Sequence, residues 1–442
     1  MGYGKLTASK ARSHNYVKQV KGSVLYKVGA VAATFLVMPI MIKYLGVEQF
    51  GIWATMLTLI TWVMLFDLGI GNGLKNKVAE SLAQNNSKQA ARFISTAYGL
   101  IGIISFALFS IFLVLSFWIP WQVVFNSQAI SEAALRQTIV TLSFFIFFNF
   151  WISLVNQIYH GLQKSSVVVL GQFISNILSL FLVFFLYQFT QASINLMVWA
   201  YGLSLVVANL VLSFFVFKKH KELQPTYKDF DTNKIRPLLS LGLKFFIIQF
   251  AVLVIFMTDK IVITQLLGPE HVTPYEVLFK LFSVFTVIHS LLLAPLWPAY
   301  SDAYQRGDLA WIRKNIRQQI KVALFLFLGA FILALVGPKI VSLWIGDEIE
   351  ISQTLYYLFA IFIFFSVWSN VFAYFVNATN NLGIQLYTSV LAALINIPLS
   401  IYLVSNLKLD LNGVVLATIF SLSFYAFLGP IQVLNIIKEK YI

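Results

Sequence analysis

The chain has no cysteine, and charge is scarce: Asp, Glu, Lys and Arg make up 11% of its 442 residues, with five histidines besides. The missing thiols exclude disulfides, thiolate metal sites and cysteine nucleophiles, while leaving the redox compartment open. The histidines are scattered without a His/Glu metal spacing, and no paired carboxylates fall in an outer loop, so neither hydrolytic nor metal chemistry is expected, nor any cofactor. No polar stretch is long enough for a soluble catalytic domain, and the chain reads as a non-enzyme. Apolar residues are plentiful: 59% of the chain is hydrophobic and 16% aromatic, with a mean hydropathy of +0.82. No soluble fold hides that much apolar surface, so the bilayer is the solvent for most of it. The apolar runs are continuous over about twenty residues, enough to cross a roughly 30 Å hydrocarbon layer as helices, and they lack the alternation of a barrel.

Twelve spans are predicted, at about 22–43, 49–70, 94–118, 136–160, 166–188, 194–217, 240–266, 276–299, 319–337, 353–378, 383–404 and 411–436. The chain also matches itself. At an offset of 222, Leu45-Gly46-Val47-Glu48 falls on Leu267-Gly268-Pro269-Glu270, and at an offset of 217, Phe145-Ile146-Phe147-Phe148 and Trp151 fall on Phe362-Ile363-Phe364-Phe365 and Trp368. Two six-helix halves in parallel repeat are expected to face one another around a central site and to rock about it. The predicted lobes are 1–218 and 237–442. The basic, polar stretch 219–236 between them, with Pro225, is the linker.

The net charge of +14 would point to nucleic acid in a soluble chain, but in a membrane chain its placement matters more. If the N-terminus lies inside, the N-terminal segment, the 75–92 loop, the linker, the 306–321 stretch and the C-terminus hold nearly all the cations. Lys43, Arg136, Lys339 and Lys408 alone fall outside. Both termini are therefore expected in the cytoplasm, with no nucleic-acid partner. The basic, polar first twenty residues precede a full-length apolar run with no small-residue cleavage pattern, which reads as an uncleaved signal anchor. The amphipathic stretch from Asp308 to Gln319 is expected along the cytoplasmic interface.

Asp259 and Lys260 are the sharpest signal, because a charge deep in a span costs roughly 2.5–3.5 kcal/mol unless it is paired or wet. Adjacent on a helix, they point about 100° apart and are expected to meet different surroundings. Gln249, three turns before Lys260, extends a polar stripe. Lys280 is a second candidate lining cation and Lys27, repeat-equivalent to Gln249, a third; Lys27 also fits snorkelling to headgroups. His289 admits packing or a proton relay. Asp67, in the run Asp67-Leu68-Gly69-Ile70-Gly71-Asn72-Gly73, fits a carboxylate at the inner mouth or a helix cap; no strand precedes those glycines, which argues against a nucleotide loop. Asn149, Ser153, Asn156 and His160 form one polar face, which recurs at Ser366, Asn370 and Asn377. Interhelical hydrogen bonding and contact with sugar or water both account for it, as they do for Gln172, Asn176, Ser389 and Asn396.

Several of these segments carry a resemblance. Lys21-Gly22-Ser23, Tyr44-Leu45-Gly46-Val47-Glu48-Gln49-Phe50-Gly51-Ile52-Trp53, Asp67-Leu68-Gly69-Ile70-Gly71 and Thr258-Asp259-Lys260-Ile261-Val262-Ile263 leading to Leu267-Gly268 resemble the polysaccharide transporter family over essentially the whole chain. Its Wzx-type O-antigen flippases belong to the multidrug/oligosaccharidyl-lipid/polysaccharide (MOP) superfamily. Thr273-Pro274-Tyr275 departs from the glycine-tyrosine step usual after helix 7. The resemblance implies a MATE-like fold, all-α and membrane-embedded. It implies transport of an undecaprenyl-pyrophosphate-linked oligosaccharide across a bacterial inner membrane, driven by a proton or sodium gradient, with a polysaccharide polymerase or assembly complex as a further partner. On that reading Lys260, Lys280 and Lys27 meet the pyrophosphate, Gln249, Asn149, Asn156 and Asn370 meet the glycan, and Asp259 and Asp67 couple the ion. The competing readings are a small-molecule multidrug or cation antiporter, which would favour acids over lysines, and a membrane-embedded polysaccharide polymerase, which would need a larger outer loop.

Overall fold

The computed structural model describes residues 3–61, 69–239, 243–293, 296–379 and 381–439; within these, the side chains of 3–21, 60–61, 243–249, 251–253, 256, 298 and 439 lie outside the description. Every regular element among the described residues is helical. In chain order the helices are α1 (Tyr3–Leu45), α2 (Val47–Thr61), α3 (Ile70–Ala83), α4 (Ser87–Leu115), α5 (Trp121–Val124) and α6 (Glu132–Ile152). They continue as α7 (Leu154–Gly161), α8 (Ser165–Phe189), α9 (Ile194–Lys219), α10 (Ile235–Leu239), α11 (Leu243–Leu266) and α12 (Val272–Leu293). The last are α13 (Leu296–Arg306), α14 (Leu309–Ile345), α15 (Gln353–Thr379), α16 (Gly383–Ser405) and α17 (Asp410–Glu439).

Among the described residues, ten helical segments are long and apolar enough to cross a membrane. The two remaining expected positions also hold helix, α2 and α11, so the all-α membrane architecture stands. Some boundaries differ from those expected. The fourth span is interrupted at Ser153 between α6 and α7, where the Ser153 hydroxyl donates to the Phe150 carbonyl at 3.0 Å. The amphipathic stretch after Asp308 is continuous with the ninth span: it forms the first turns of α14, with Leu309, Ile312 and Ile316 buried.

The internal repeat is visible in the backbone. Gly46 and Gly268, 222 residues apart, both have positive φ, 77° and 107°, and each ends a helix where only a residue without Cβ turns the chain freely. Asn85 and Gly307 share the same offset and the same left-handed conformation, at 55° and 75°. The next residues, Asn86 and Asp308, then cap α4 and α14 by accepting from the Gln89 and Trp311 amides.

By contact the chain forms two compact units: Met1–Gly46, Ile60–Gln122 and Ile130–Leu243 in the first; Val47–Leu59, Val123–Ala129 and Lys244–Ile442 in the second. In the first unit, α1 packs along α8, and the linker is held on α4: the Thr226 amide donates to Ser95 Oγ at 3.0 Å and the Asp231 amide to Thr96 Oγ1 at 3.1 Å. The Lys234 ammonium lies 5.3 Å from the centre of the Phe93 ring, a cation–π contact.

The second unit takes in Val47–Leu59 and Val123–Ala129, which the expected lobe boundary assigns to the first half. Side-chain size explains the grouping. A Cβ on Gly51 would stand 1.7 Å from the Pro269 carbonyl oxygen, so the glycine lets the start of α2 reach the turn before α12. Thr273 Oγ1 donates to the Val47 carbonyl at 2.6 Å, Thr55 and Thr264 join hydroxyls at 2.8 Å, and Ser127 Oγ donates to Glu48 at 2.5 Å. In the same unit, α14 turns Ala323, Ala330, Ala334 and Gly337 inward while Phe325, Leu328, Ile332 and Leu335 stand exposed. Small residues inside and large ones outside are the pattern of a helix solvated by lipid and packed through close backbone approach.

Candidate functional site

The site is best built from α11, whose apolar run is broken by Thr258-Asp259-Lys260. Asp259 is 1% exposed. Its Oδ2 accepts from the Tyr275 hydroxyl of α12 at 2.8 Å, and both oxygens receive the Thr418 hydroxyl of α17, at 3.2 and 3.0 Å. The Thr418 oxygen in turn accepts from Asn396 Nδ2 of α16 at 3.2 Å, and Asn396 Oδ1 lies 3.5 Å from the Thr258 hydroxyl, closing the ring back on α11. Four helices thus converge on one carboxyl group. Among the described residues Asp259 makes no ion pair within salt-bridge distance, so at contact distance its negative form is met by hydroxyl dipoles. Such a buried group is suited to taking up a small cation, a proton included.

Lys260 turns away, as the 100° step between neighbours requires, and pairs with Glu276 of α12 at 2.6 Å. The two side chains are 13% and 22% exposed, so the pair is shielded but not dry. Lys280 is half-buried four residues after Glu276, one turn along the same face of α12. Lys260 therefore carries a counter-ion of its own. It can serve an anionic cargo by releasing Glu276, and the ammonium cannot be treated as an uncompensated charge.

The remaining sequence candidates fall into separate places. In the first unit Lys27 donates to Gln172 Oε1 at 3.1 Å, and Asn176 Nδ2 donates to the Ala30 carbonyl at 3.0 Å, so both fasten α1 to α8. Asn149 and Asn156 converge on Asn209 of α9: Asn209 Nδ2 donates to Asn149 Oδ1 at 2.8 Å, and Asn156 Nδ2 donates to Asn209 Oδ1 at 3.1 Å. These two asparagines take the interhelical reading of their polar face. Their repeat counterparts Ser366 and Ala373, with Asn370, the counterpart of Ser153, instead line a cavity of about 300 Å³ in the second unit. His289 is buried, at 1% exposure, and neither ring nitrogen has a hydrogen-bond partner among the described residues. Asp67 lies outside the described residues, as does the Gln249 side chain.

Sequence reasoning missed Tyr275, Glu276, Thr418 and Asn209. Glu276 sits at the first position of the predicted eighth span, where an acid reads as a solvated end, but α12 begins at Val272 and carries it inside a helix. The departure at Thr273-Pro274-Tyr275 is the clue that was available, since it delivers both the Tyr275 phenol and the Thr273 bond to Val47.

Residues 20–304 match the family described as polysaccharide biosynthesis protein, and residues 245–402 match the MatE family. A Salmonella typhimurium protein provisionally named an O-antigen transporter is 23% identical over 88% of this chain and 89% of its own length. A Yersinia pseudotuberculosis protein provisionally named an O-antigen export protein is 24% identical over 79% of this chain and 80% of its own. Among solved structures, an inward-facing multidrug resistance MATE family transporter of the MOP superfamily superposes with a TM-score of 0.77 at 15% identity, covering 92% of this chain and 96% of that one. A MOP superfamily transporter from Pyrococcus furiosus, described as having a binding pocket of reverse polarity, gives 0.64 at 16% identity, covering 95% and 96%. The expected helical positions, the internal repeat and these matches agree: the chain is a multi-pass membrane transporter that belongs to the polysaccharide biosynthesis protein family and shares the fold of the solved MATE transporters.

Proposed function

We propose that the chain is a flippase that moves an undecaprenyl-pyrophosphate-linked oligosaccharide, the repeat unit of O-antigen or a similar surface polysaccharide, from the cytoplasmic to the outer leaflet of a bacterial inner membrane. Both termini lie in the cytoplasm on this reading. The lobes 1–218 and 237–442, joined through 219–236, are the bodies that move in alternating access. A pyrophosphate cannot enter hydrocarbon unaccompanied, and Lys260 offers it a cation by exchanging Glu276 for the cargo, with Lys280 and Lys27 as further cations. Asp259 and, at the inner mouth, Asp67 couple a proton or sodium gradient to the cycle. Gln249 and Asn370 are the candidate glycan contacts; Asn149 and Asn156 reach the glycan only by giving up Asn209. The polymerase that consumes the exported unit is the expected protein partner.

The observation that carries this reading is the deep group of Asp259, Lys260 and Glu276 in a chain of the polysaccharide biosynthesis protein family. The test is replacement of Lys260 by Ala in a host that depends on this chain for its surface glycan. The expected result is loss of surface polysaccharide and accumulation of the lipid-linked unit at unchanged protein abundance; normal glycan display would remove Lys260 from the mechanism. A second reading, export of an organic cation by exchange for a proton or sodium, is favoured by the MatE match over 245–402 and by the acid Glu276. Ethidium efflux from cells expressing the chain, abolished by Asp259→Asn, would support it over the flippase.

A further inference from the structure

The cavity beside Asn370 has partly polar walls. It lies between the C-terminal half of α15, the start of α16 and the middle of α17, within the second unit, and its volume is about 300 Å³. Ser369, Asn370, Gln385, Thr388, Ser421 and Tyr425 supply polar groups, and among the described residues no Asp, Glu, Lys or Arg lines it. Ser369, Gln385 and Ser421 are 9%, 7% and 1% exposed. Among the described residues, Ser369 Oγ, Gln385 Oε1, Ser421 Oγ and the Tyr425 hydroxyl have no hydrogen-bond partner. Buried polar groups are ordinarily satisfied, so four orphans opening on one cavity mark a place built to be filled by something with matching donors and acceptors.

The walls restrict what that occupant is. A phosphate would find no cation among the described lining residues, and a hydrocarbon chain would strand the hydroxyls. An uncharged, hydroxyl-rich ring fits both conditions, with the Tyr425 ring supplying a flat apolar surface for its C–H faces. The volume lies at the bottom of the roughly 300–1,000 Å³ range of small-molecule pockets, which suits one ring. The cavity also continues the Asp259 network along the same helix faces. Ile255 of its lining is four residues before Asp259, Ser421 three after Thr418, and Ser389 seven before Asn396. Spacings of three, four and seven keep each pair on one side of its helix.

We infer that this cavity is a subsite for a single neutral sugar ring of the cargo, stacked on the Asp259 network and separate from the groups that meet phosphate. The assignment deepens the flippase reading and rests on it. The full-length chain in nanodiscs is titrated with undecaprenyl pyrophosphate, and with the same lipid bearing glucose, galactose or N-acetylglucosamine, by isothermal calorimetry. At least one sugar-bearing lipid is expected to bind roughly ten-fold more tightly than the bare pyrophosphate lipid, the scale of discrimination that paired hydroxyls provide. Gln385→Leu, which removes the orphan acceptor, and Ser389→Leu, which fills the cavity, are each expected to abolish that preference while leaving the bare lipid's affinity unchanged. Thermal unfolding of each variant confirms its fold, and Ser421→Ala serves where either fails to fold. Equal binding of all four lipids to the unaltered chain, or a preference that survives the folded variants, overturns the subsite and leaves the flippase standing. Failure of every lipid to bind the unaltered chain overturns both.

Discussion

At the scale of single residues, the buried carboxyl and the ion pair beside it make opposite demands. Among the described residues Asp259 has hydroxyl dipoles but no salt-bridge partner, so its negative charge is the less compensated state; Lys260 has a full partner in Glu276. Asp259→Asn keeps the shape and can still accept from Tyr275 and Thr418, but it cannot bind a proton or sodium. Transport into proteoliposomes should become insensitive to an imposed ion gradient, with a loss of roughly ten- to hundred-fold in gradient-driven rate, the usual size of a coupling interaction, and unchanged thermal unfolding. A D259N variant that still answers to the gradient would place coupling elsewhere. Glu276→Gln removes the counter-ion of Lys260 and leaves the ammonium to seek another anion. Its affinity for undecaprenyl pyrophosphate should rise and turnover should fall, because release of the cargo then lacks a competitor; equal affinity in the two proteins would show that Lys260 does not contact phosphate. The sequence showed the charged pair and the 100° divergence of its members. It did not show the partners, because Tyr275, Glu276, Thr418 and Asn396 sit on three other helices, and proximity between helices is a tertiary fact that no local spacing encodes.

At the scale of elements, the polar faces divided according to what stood opposite them. The asparagine face of α6 and α7 met Asn209 and closed on it, whereas the equivalent face of α15 lines a cavity shared with Gln385, Ser389 and Ser421. The repeat made the two faces look interchangeable in sequence; the helix packed against each is what distinguishes them. Apolar faces show a related ambiguity, since in a lipid-solvated helix size, and not hydrophobicity, separates inside from outside. Ala334 of α14 is fully buried while Phe325, two and a half turns earlier, is 73% exposed. Phe325→Ala should therefore move the midpoint of thermal unfolding in detergent very little. Ala334→Phe should lower it clearly, by the overpacking cost of about 1–3 kcal/mol. A larger loss from Phe325→Ala than from Ala334→Phe would reverse the assignment of the inner face of α14.

At the scale of the whole molecule, the fold class, the repeat and the expected helical positions were legible because each depends on long stretches averaged together: twenty-residue apolar runs, a register of 222 residues, and cations concentrated in alternate loops. Boundaries were less so. α2 and the 123–129 segment joined the second unit through small residues and single hydroxyl bonds, such as Gly51 against Pro269 and Thr55 with Thr264, which leave no mark on average hydropathy. The charge asymmetry makes the orientation a direct experiment, and the missing cysteines make it a clean one. Single cysteines placed at Lys228 in the linker, and at Lys339 and Lys408 among the few cations expected on the other side, give the protein one thiol each with no native background. In intact spheroplasts a membrane-impermeant maleimide should label Lys339→Cys and Lys408→Cys but reach Lys228→Cys only after lysis. The reverse pattern would put the basic linker outside, and would require an anionic-lipid surface there to hold the cations that the positive-inside rule assigns to the cytoplasm.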